Sequence, residues 1–286
     1  MKFYNLLIIT CFCITTVSAQ TKKNKPQTIL FEDFNKKTLN RSLWNVEVTG
    51  NTVNNEQQAY IDSASTLYLV HGKAAEGAKN GALVIKALFR SGFTSKEQHQ
   101  YDFISGRINS RKKFEFTYGT ASARMKLVAG AGLWPAFWAL GEGKWPDCGE
   151  IDIMETVGDS SWVSHALHGP GYSGNTPIAY RAFFPKGIDV TQWHVYSVDW
   201  SADSLIFKVD NKITYTVTRA MVEKYGRWAF DNSKFLILNF ALGGGYPNGV
   251  NKVTQPYFGL SQASVDKIKS GQAKVLVDWV LVTKNK

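Results

Sequence analysis

Three acids fall within six positions of the stretch Trp145-Pro146-Asp147-Cys148-Gly149-Glu150-Ile151-Asp152-Ile153-Met154-Glu155. Large apolar residues separate Glu150, Asp152 and Glu155, so the stretch reads as a strand rather than a solvated loop. On a regular strand Glu150 and Asp152 share a face and Glu155 takes the opposite one. A β-bulge at Ile153-Met154 adds one residue and returns Glu155 to the face of the other two. The two glutamate Cα atoms then stand about four strand steps apart, roughly 13 Å. Side chains leaning inward bring the carboxyls toward the ~5–5.5 Å separation suited to double displacement at a sugar. One carboxylate attacks the anomeric carbon and the other carboxylic acid protonates the departing oxygen. The nucleophile's charge raises the pKa of the acid, and Asp152 between them can share a proton with the nucleophile. Two other readings compete. Three surface acids on an edge strand would need a more polar strand than Ile151, Ile153 and Met154 provide, and calcium would call for an Asp, Asn and Gly-rich loop.

The elements around this strand read as β structure. Of the 286 residues, 44% are hydrophobic and 20% charged, with 9 Trp, 12 Tyr and 17 Phe, a composition that excludes collagen-like and low-complexity chains. Ala121 to Leu127 alternates small or apolar residues with polar ones, the pattern of a half-buried strand. Leu205–Val209 and Ile213–Val217 flank Asp210-Asn211-Lys212 as a hairpin. Phe235 to Phe240 is a continuous apolar run, suited to a strand covered on both faces, and Lys274 to Val282 predicts a closing strand. Helical pattern is confined to Arg219–Tyr225 and Ser264–Lys269, the second ending at Gly271. No internal repeat interrupts the series. The pattern predicts an all-β fold, a single sandwich or barrel.

The N-terminus reads as an export leader over residues 1–19. Lys2, the apolar run Leu6–Ile14 and the small-residue site Val17-Ser18-Ala19 carry that reading, with 20–27 as a polar linker. Removal of the leader leaves Cys148 as the one cysteine, which precludes an internal disulfide. It also leaves 32 Lys and Arg against 23 Asp and Glu. The cations are scattered, with no basic helix and no nucleic-acid motif, so the surplus reads as a solvated surface.

Taken together, Gly132-Leu133-Trp134-Pro135-Ala136-Phe137-Trp138-Ala139-Leu140 and Glu150-Ile151-Asp152-Ile153-Met154-Glu155 resemble glycoside hydrolase family 16. The likeness is to its bacterial laminarinase-like members (endo-β-1,3-glucanases), whose acidic motif is the bulged E-x-D-x-x-E. It continues through His165–Pro170, Trp193–Trp200, Asn239–Gly244 and Val277–Val280, and so spans about residues 29–284. The resemblance implies a β-jelly-roll sandwich of two antiparallel sheets with a concave cleft for a β-linked glycan, occupying residues 28–286. It assigns Glu150 as nucleophile, Asp152 as its assistant and Glu155 as acid/base, with retention of configuration. All three are intact, unlike in the non-catalytic glucan-recognition relatives.

Flat rings bind sugar faces. Trp134, Trp138 and Trp145 are therefore candidate subsite walls, with core packing the rival reading of each. Asn55, Glu56 and Arg107 resemble family positions near the substrate, and His168 would lie near the acid/base unless it is structural. Asn239, within an apolar run, suits either the cleft or the core. The chemistry needs no cofactor. A structural calcium is implied by the resemblance, with Glu32 and Asp278 as contributors, although both could equally be ion-paired. The segment Pro247–Gln272 departs from the usual laminarinase pattern and leaves the polymer open.

The expectation is a secreted, monomeric, retaining endo-glycosidase, periplasmic or extracellular. Its partner is a polysaccharide, with neither nucleic acid nor membrane insertion after leader cleavage. The substrate is β-1,3- or mixed-linkage β-1,3/1,4-glucan. The alternatives are an endo-β-galactosidase acting on galactan or mucin-type glycans, and a non-catalytic glycan-binding protein.

Overall fold

Successive strands fold the chain into two large sheets packed face to face. The computed structural model describes residues 26–176 and 178–284, together with Met1. Met1 apart, the leader assigned to 1–19 lies outside the described residues, as does most of the linker. Gln27 already opens the first strand.

One sheet has the order β16 (Lys212–Thr218), β15 (Ser204–Val209), β14 (Trp193–Trp200), β9 (Gly119–Lys126), β18 (Lys274–Lys284), β5 (Ala82–Lys86) and β4 (Leu67–Val70). Strand β1 (Gln27–Glu32) also pairs with β18. The second sheet runs β13 (Ala179–Phe183), β12 (Trp162–His168), β11 (Glu150–Glu155), β10 (Leu133–Gly141), β17 (Lys234–Leu242), β8 (Arg107–Asn109) and β2 (Asn45–Val46). Neighbours in both sheets are antiparallel, and the jelly-roll sandwich expected from the sequence is the fold that forms. A third, small sheet departs from that expectation: β3 (Gln58–Tyr60), β7 (Gln100–Ser105) and β6 (Leu88–Thr94), with β3 parallel to β7. Strand β3 has three residues, all buried, too few to show a period.

Local chemistry explains the elements. Ala121, Ala123 and Met125 of β9 point into the sandwich and are fully buried beside Phe137, Phe207 and Phe240. Each such ring contributes about 1.5–3 kcal/mol through removal from water. Asp210 and Asn211 turn the β15–β16 hairpin with φ of 49° and 64°, the left-handed pair of a two-residue turn. All nine residues of β17 are buried, and β10 and β8 pair along its two edges. Helices α1 (Arg219–Val222) and α3 (Gln262–Lys269) fall where the sequence puts them. Helix α2 (Gly245–Asn251) was not expected from its Gly, Pro and Asn content. Pro247 is tolerated there because it sits in the first turn, where its missing N–H has no carbonyl to serve.

The calcium site does not survive the structure. Asp278 is buried and both its oxygens are taken: Lys79 N–H donates to Oδ1 at 3.0 Å and the Arg124 guanidinium pairs with Oδ2. Glu32 Oε1 accepts the N–H of Phe34 at 3.0 Å. A guanidinium already on Asp278 opposes a divalent ion there, so Glu32 and Asp278 do not fit calcium; for Asp278 the ion-pair reading holds. Arg124→Met should therefore cost about 3–5 kcal/mol in denaturant unfolding, because it strands a buried carboxylate. Chelation should leave the melting temperature unchanged, and a fall on chelation would restore the metal.

Candidate active site

Cross-strand pairs define the face on which the acids stand. Asp152 pairs with Ala166 and Glu155 with Ser164, so Ile153 and Met154 together oppose the single residue His165. The register against β10 breaks at the same place, with Met154 opposite Phe137 and Asp152 opposite Trp138. This is the expected bulge, and it brings Glu150, Asp152 and Glu155 to one face. Partners at successive positions complete that face: His168 beside Glu150, Trp138 beside Asp152, Ala136 beside Glu155, then Asn239 and Arg107 in line.

A bulge leaves backbone groups without ladder partners. Here the freed carbonyl of Ile153 accepts a hydrogen bond from His165 Nδ1 at 2.7 Å, inside the sandwich. The other ring nitrogen meets the Thr214 hydroxyl at 2.8 Å, and the ring stacks on Phe207. Burial lowers the His165 pKa to about 4, which keeps the ring neutral with a proton on Nδ1 for the carbonyl.

A second pin holds the strand's other end. Lys234 is fully buried, and its ammonium donates to Cys148 O at 3.0 Å, Ala229 O at 3.0 Å and Asn232 Oδ1. Three acceptors match the three N–H donors of a lysine. Gly149 lets the two loops touch, since a Cβ there would lie 2.1 Å from Ala229 O. Residue-type reasoning missed both pins. Lys234 lies one position before the apolar run, and His165 belongs to the quoted His165–Pro170 motif.

Each acid has an indole or imidazole partner. Trp145 Nε1 donates to Glu150 Oε2 at 3.0 Å, and Trp134 Nε1 donates to Glu155 Oε1 at 2.8 Å. His168 Nε2 lies 3.3 Å from Asp152 Oδ2 and 3.9 Å from Glu150 Oε1. Burial and then the Asp152 charge push Glu150 up to about 8, against the pull of His168 and the Trp145 indole. Burial also raises Asp152, which lies within hydrogen-bonding reach of Glu150. Glu155 is held well above the carboxylate range by burial first and Asp152 second. Three carboxyls this close cannot all ionise. Burial favours the protonated form of each of them.

The remaining candidates divide by exposure. Trp145 is 45% exposed, an open ring beside the acids. Trp134 is 8% exposed and packs edge-on against Tyr246 of α2, so its ring is mostly wall and its N–H is the part that reaches the site. Trp138 Nε1 donates to Asn239 Oδ1 at 2.8 Å, and Asn239 Nδ2 donates to Tyr60 Oη at 3.1 Å. Asn239 thus lies on the cleft face with both amide groups engaged. The Arg107 guanidinium lies 5.0 Å from the Trp138 ring centroid and pairs with Glu47 at 3.0 Å. Glu56 Oε2 accepts from Gln58 Nε2 at 2.8 Å and Tyr60 Oη at 3.3 Å, so Tyr60 joins Glu56 to Asn239 and Trp138. Asn55 stands apart at φ 56°, on the loop rim. Among the described residues only Glu150, Asp152 and His168 gather metal-type donors, within 4.8 Å of one another.

Comparison with known proteins gives this geometry a lineage. The sequence profile of Glycosyl hydrolases family 16 matches residues 40–241. The chain belongs to glycosyl hydrolase family 16. Among its family relatives is glucan endo-1,3-beta-glucosidase A1 of Niallia circulans, 34% identical over 246 residues, 76% of this chain and 34% of that protein. Keratan-sulfate endo-1,4-beta-galactosidase of Sphingobacterium multivorum is 35% identical over 160 residues, 54% of this chain and 38% of that protein. The chain therefore spans little more than a third of either relative. The laminarinase catalytic domain of Thermotoga maritima superposes with a TM-score of 0.76 at 30% identity, over 91% of this chain and 99% of that one.

The pins carry a direct test. His165→Leu orphans the Ile153 carbonyl and should cost about 1–3 kcal/mol of stability, as should Lys234→Met for each carbonyl it leaves unpaired. Both variants should lose turnover as the acids drift from register, and His165→Asn, which restores a donor, should recover part of it. Wild-type rate and stability in His165→Leu would show that the bulge needs no pin.

Proposed function

We propose that the chain is an exported, retaining endo-β-glycanase that cuts β-1,3- or mixed-linkage β-1,3/1,4-glucan, with residues 28–286 as one monomeric catalytic domain. The observation that carries the reading is the bulged strand, which sets three carboxyls on one face of the sheet. In the first step Glu150 attacks the anomeric carbon while Glu155 gives its proton to the leaving oxygen. Asp152, within hydrogen-bonding reach, takes up the proton of Glu150 at that moment, which leaves Glu150 ionised and nucleophilic. In the second step Glu155, now a carboxylate, takes a proton from water, and the hydroxide released frees the sugar from Glu150. Trp145 offers a ring face to the sugar beside the cut bond, and Trp138 with Arg107 offers another further along. The chemistry asks for no cofactor.

The glucan assignment draws support from relatives. Those named for 1,3-glucan cleavage align over more of this chain than the galactosidase does, 76% against 54%. The galactosidase keeps β-galactoside cleavage as the second reading. A non-catalytic binder is disfavoured, since like charges held together cost stability and serve no recognition.

Glu150→Gln and Glu155→Gln should each lower the rate on β-1,3-glucan by at least about 10²–10⁴-fold while glucan still binds. Galactan cleavage without glucan cleavage would move the assignment to the second reading. The coupled acids also set a stability trend. The Glu150 pKa is raised from 4.5 unfolded to about 8 folded, so its contribution is fully present below pH 4.5 and is lost as pH rises through about 8. Glu150→Gln should accordingly melt higher than wild type at pH 8 and lose that advantage toward pH 4.5, as read by thermal scans.

A further inference from the structure

The acids and His168 hold a pair of atoms that hydrogen bonding does not explain. Asp152 is 3% exposed and its Oδ2 has no hydrogen-bond partner, although His168 Nε2 lies only 3.3 Å away. His168 Nδ1 is also buried without a partner. The two side chains are therefore not locked together as donor and acceptor. Glu150 anchors its Oε2 on the Trp145 indole at 3.0 Å, and its Oε1 lies 3.9 Å from the same His168 Nε2.

Such spacing is that of ligands around one small ion. Atoms bound at about 2.0–2.1 Å to a tetrahedral zinc lie roughly 3.3 Å from one another. The Asp152–His168 separation already matches, and a rotation of the Glu150 carboxyl about its Trp145 bond closes the wider one. Donor atoms of all three residues lie within 4.8 Å of one another. Donor chemistry selects the metal. One imidazole nitrogen with two carboxylate oxygens suits zinc and its transition-metal neighbours. Calcium asks for about six to eight oxygens at longer distances, and magnesium keeps several of its own waters.

Two features set the strength of such a site and its access. A zinc-bound histidine ordinarily donates its far N–H to a second group, and losing that partner costs about 10–100-fold in affinity. His168 Nδ1 has none, so the ion should exchange readily with solvent. Trp145, 45% exposed with its ring centroid 6.0 Å from that of His168, marks the open side by which an ion enters and water completes its shell.

We propose that Glu150 Oε1, Asp152 Oδ2 and His168 Nε2 form a reversible site for a single zinc-type divalent cation, and that its occupancy shuts the enzyme off by tying up Glu150. Binding follows from the geometry alone. The inhibition rests on the glycanase reading above, in which Glu150 must be free to attack the sugar. The ion is thus an inhibitor and takes no part in the chemistry.

The test is calorimetric titration of zinc chloride into the full chain, freed of metal by chelator and dialysis, beside His168→Leu and Asp152→Asn. Wild type should bind one zinc per chain, and each variant should bind it at least about tenfold more weakly, since a lost ligand costs no less than a lost second partner. Thermal scans check that the variants fold, and where one fails to fold the other decides. On the glycan that is cleaved, zinc should raise KM with kcat unchanged, and chelator should restore the original KM. No binding at millimolar zinc, or equally tight binding in the folded variants, overturns the site. Zinc bound through His168 and Asp152 while cleavage runs at its full rate overturns the inhibition. If no glycan is cut, the glycanase reading falls and the titration still decides the site.

Discussion

A strand that presents Glu150, Asp152 and Glu155 on one face must break its period of two, and the break frees a carbonyl inside a dry sandwich. The structure meets that cost with His165, whose Nδ1–H reaches Ile153 O at 2.7 Å. An unpaired carbonyl there would cost about 1–3 kcal/mol, so bulge and histidine form one device. Burial supplies the needed protonation state by holding the ring neutral. The stack of His165 on Phe207 then ties the bulge to the opposite sheet, whose own position depends on the shared core.

The acids stand against a second cost. Burial raises all three, and the Asp152 charge adds to it at Glu150 and Glu155, which weakens the fold at neutral pH and favours the protonated Glu155 that the proposed mechanism asks for. Indole donors hold the outer pair without adding charge: Trp145 on Glu150 and Trp134 on Glu155. A lysine or arginine in either place would pull the acid's pKa down and favour its carboxylate. Lys234, a buried cation near the strand's start, grips backbone carbonyls instead.

Much of this was legible in residue order. The broken alternation from Glu150 to Glu155 announced the bulge, and alternation elsewhere announced the sandwich. What stayed hidden depends on contacts between distant parts of the chain. Arg124 meets Asp278 across 154 positions and removes the calcium site that sequence likeness suggested. Tyr60 entered the cleft network through a three-residue strand with no readable period. Lys234 looked like the polar edge of an apolar run, because nothing local shows that three acceptors converge on it. The helix at Gly245–Asn251 was masked by its poor helix formers.

The claim on which the account turns is that Glu150, and not Glu155, forms the covalent bond to sugar. It can be read directly by treating the protein with a 2-deoxy-2-fluoro glucoside bearing a good leaving group, then mapping the trapped ester by peptide mass spectrometry. The account predicts a single fluoroglycosyl ester on Glu150. An ester on Glu155, or inverted product with no trapped species while turnover continues, would contradict it.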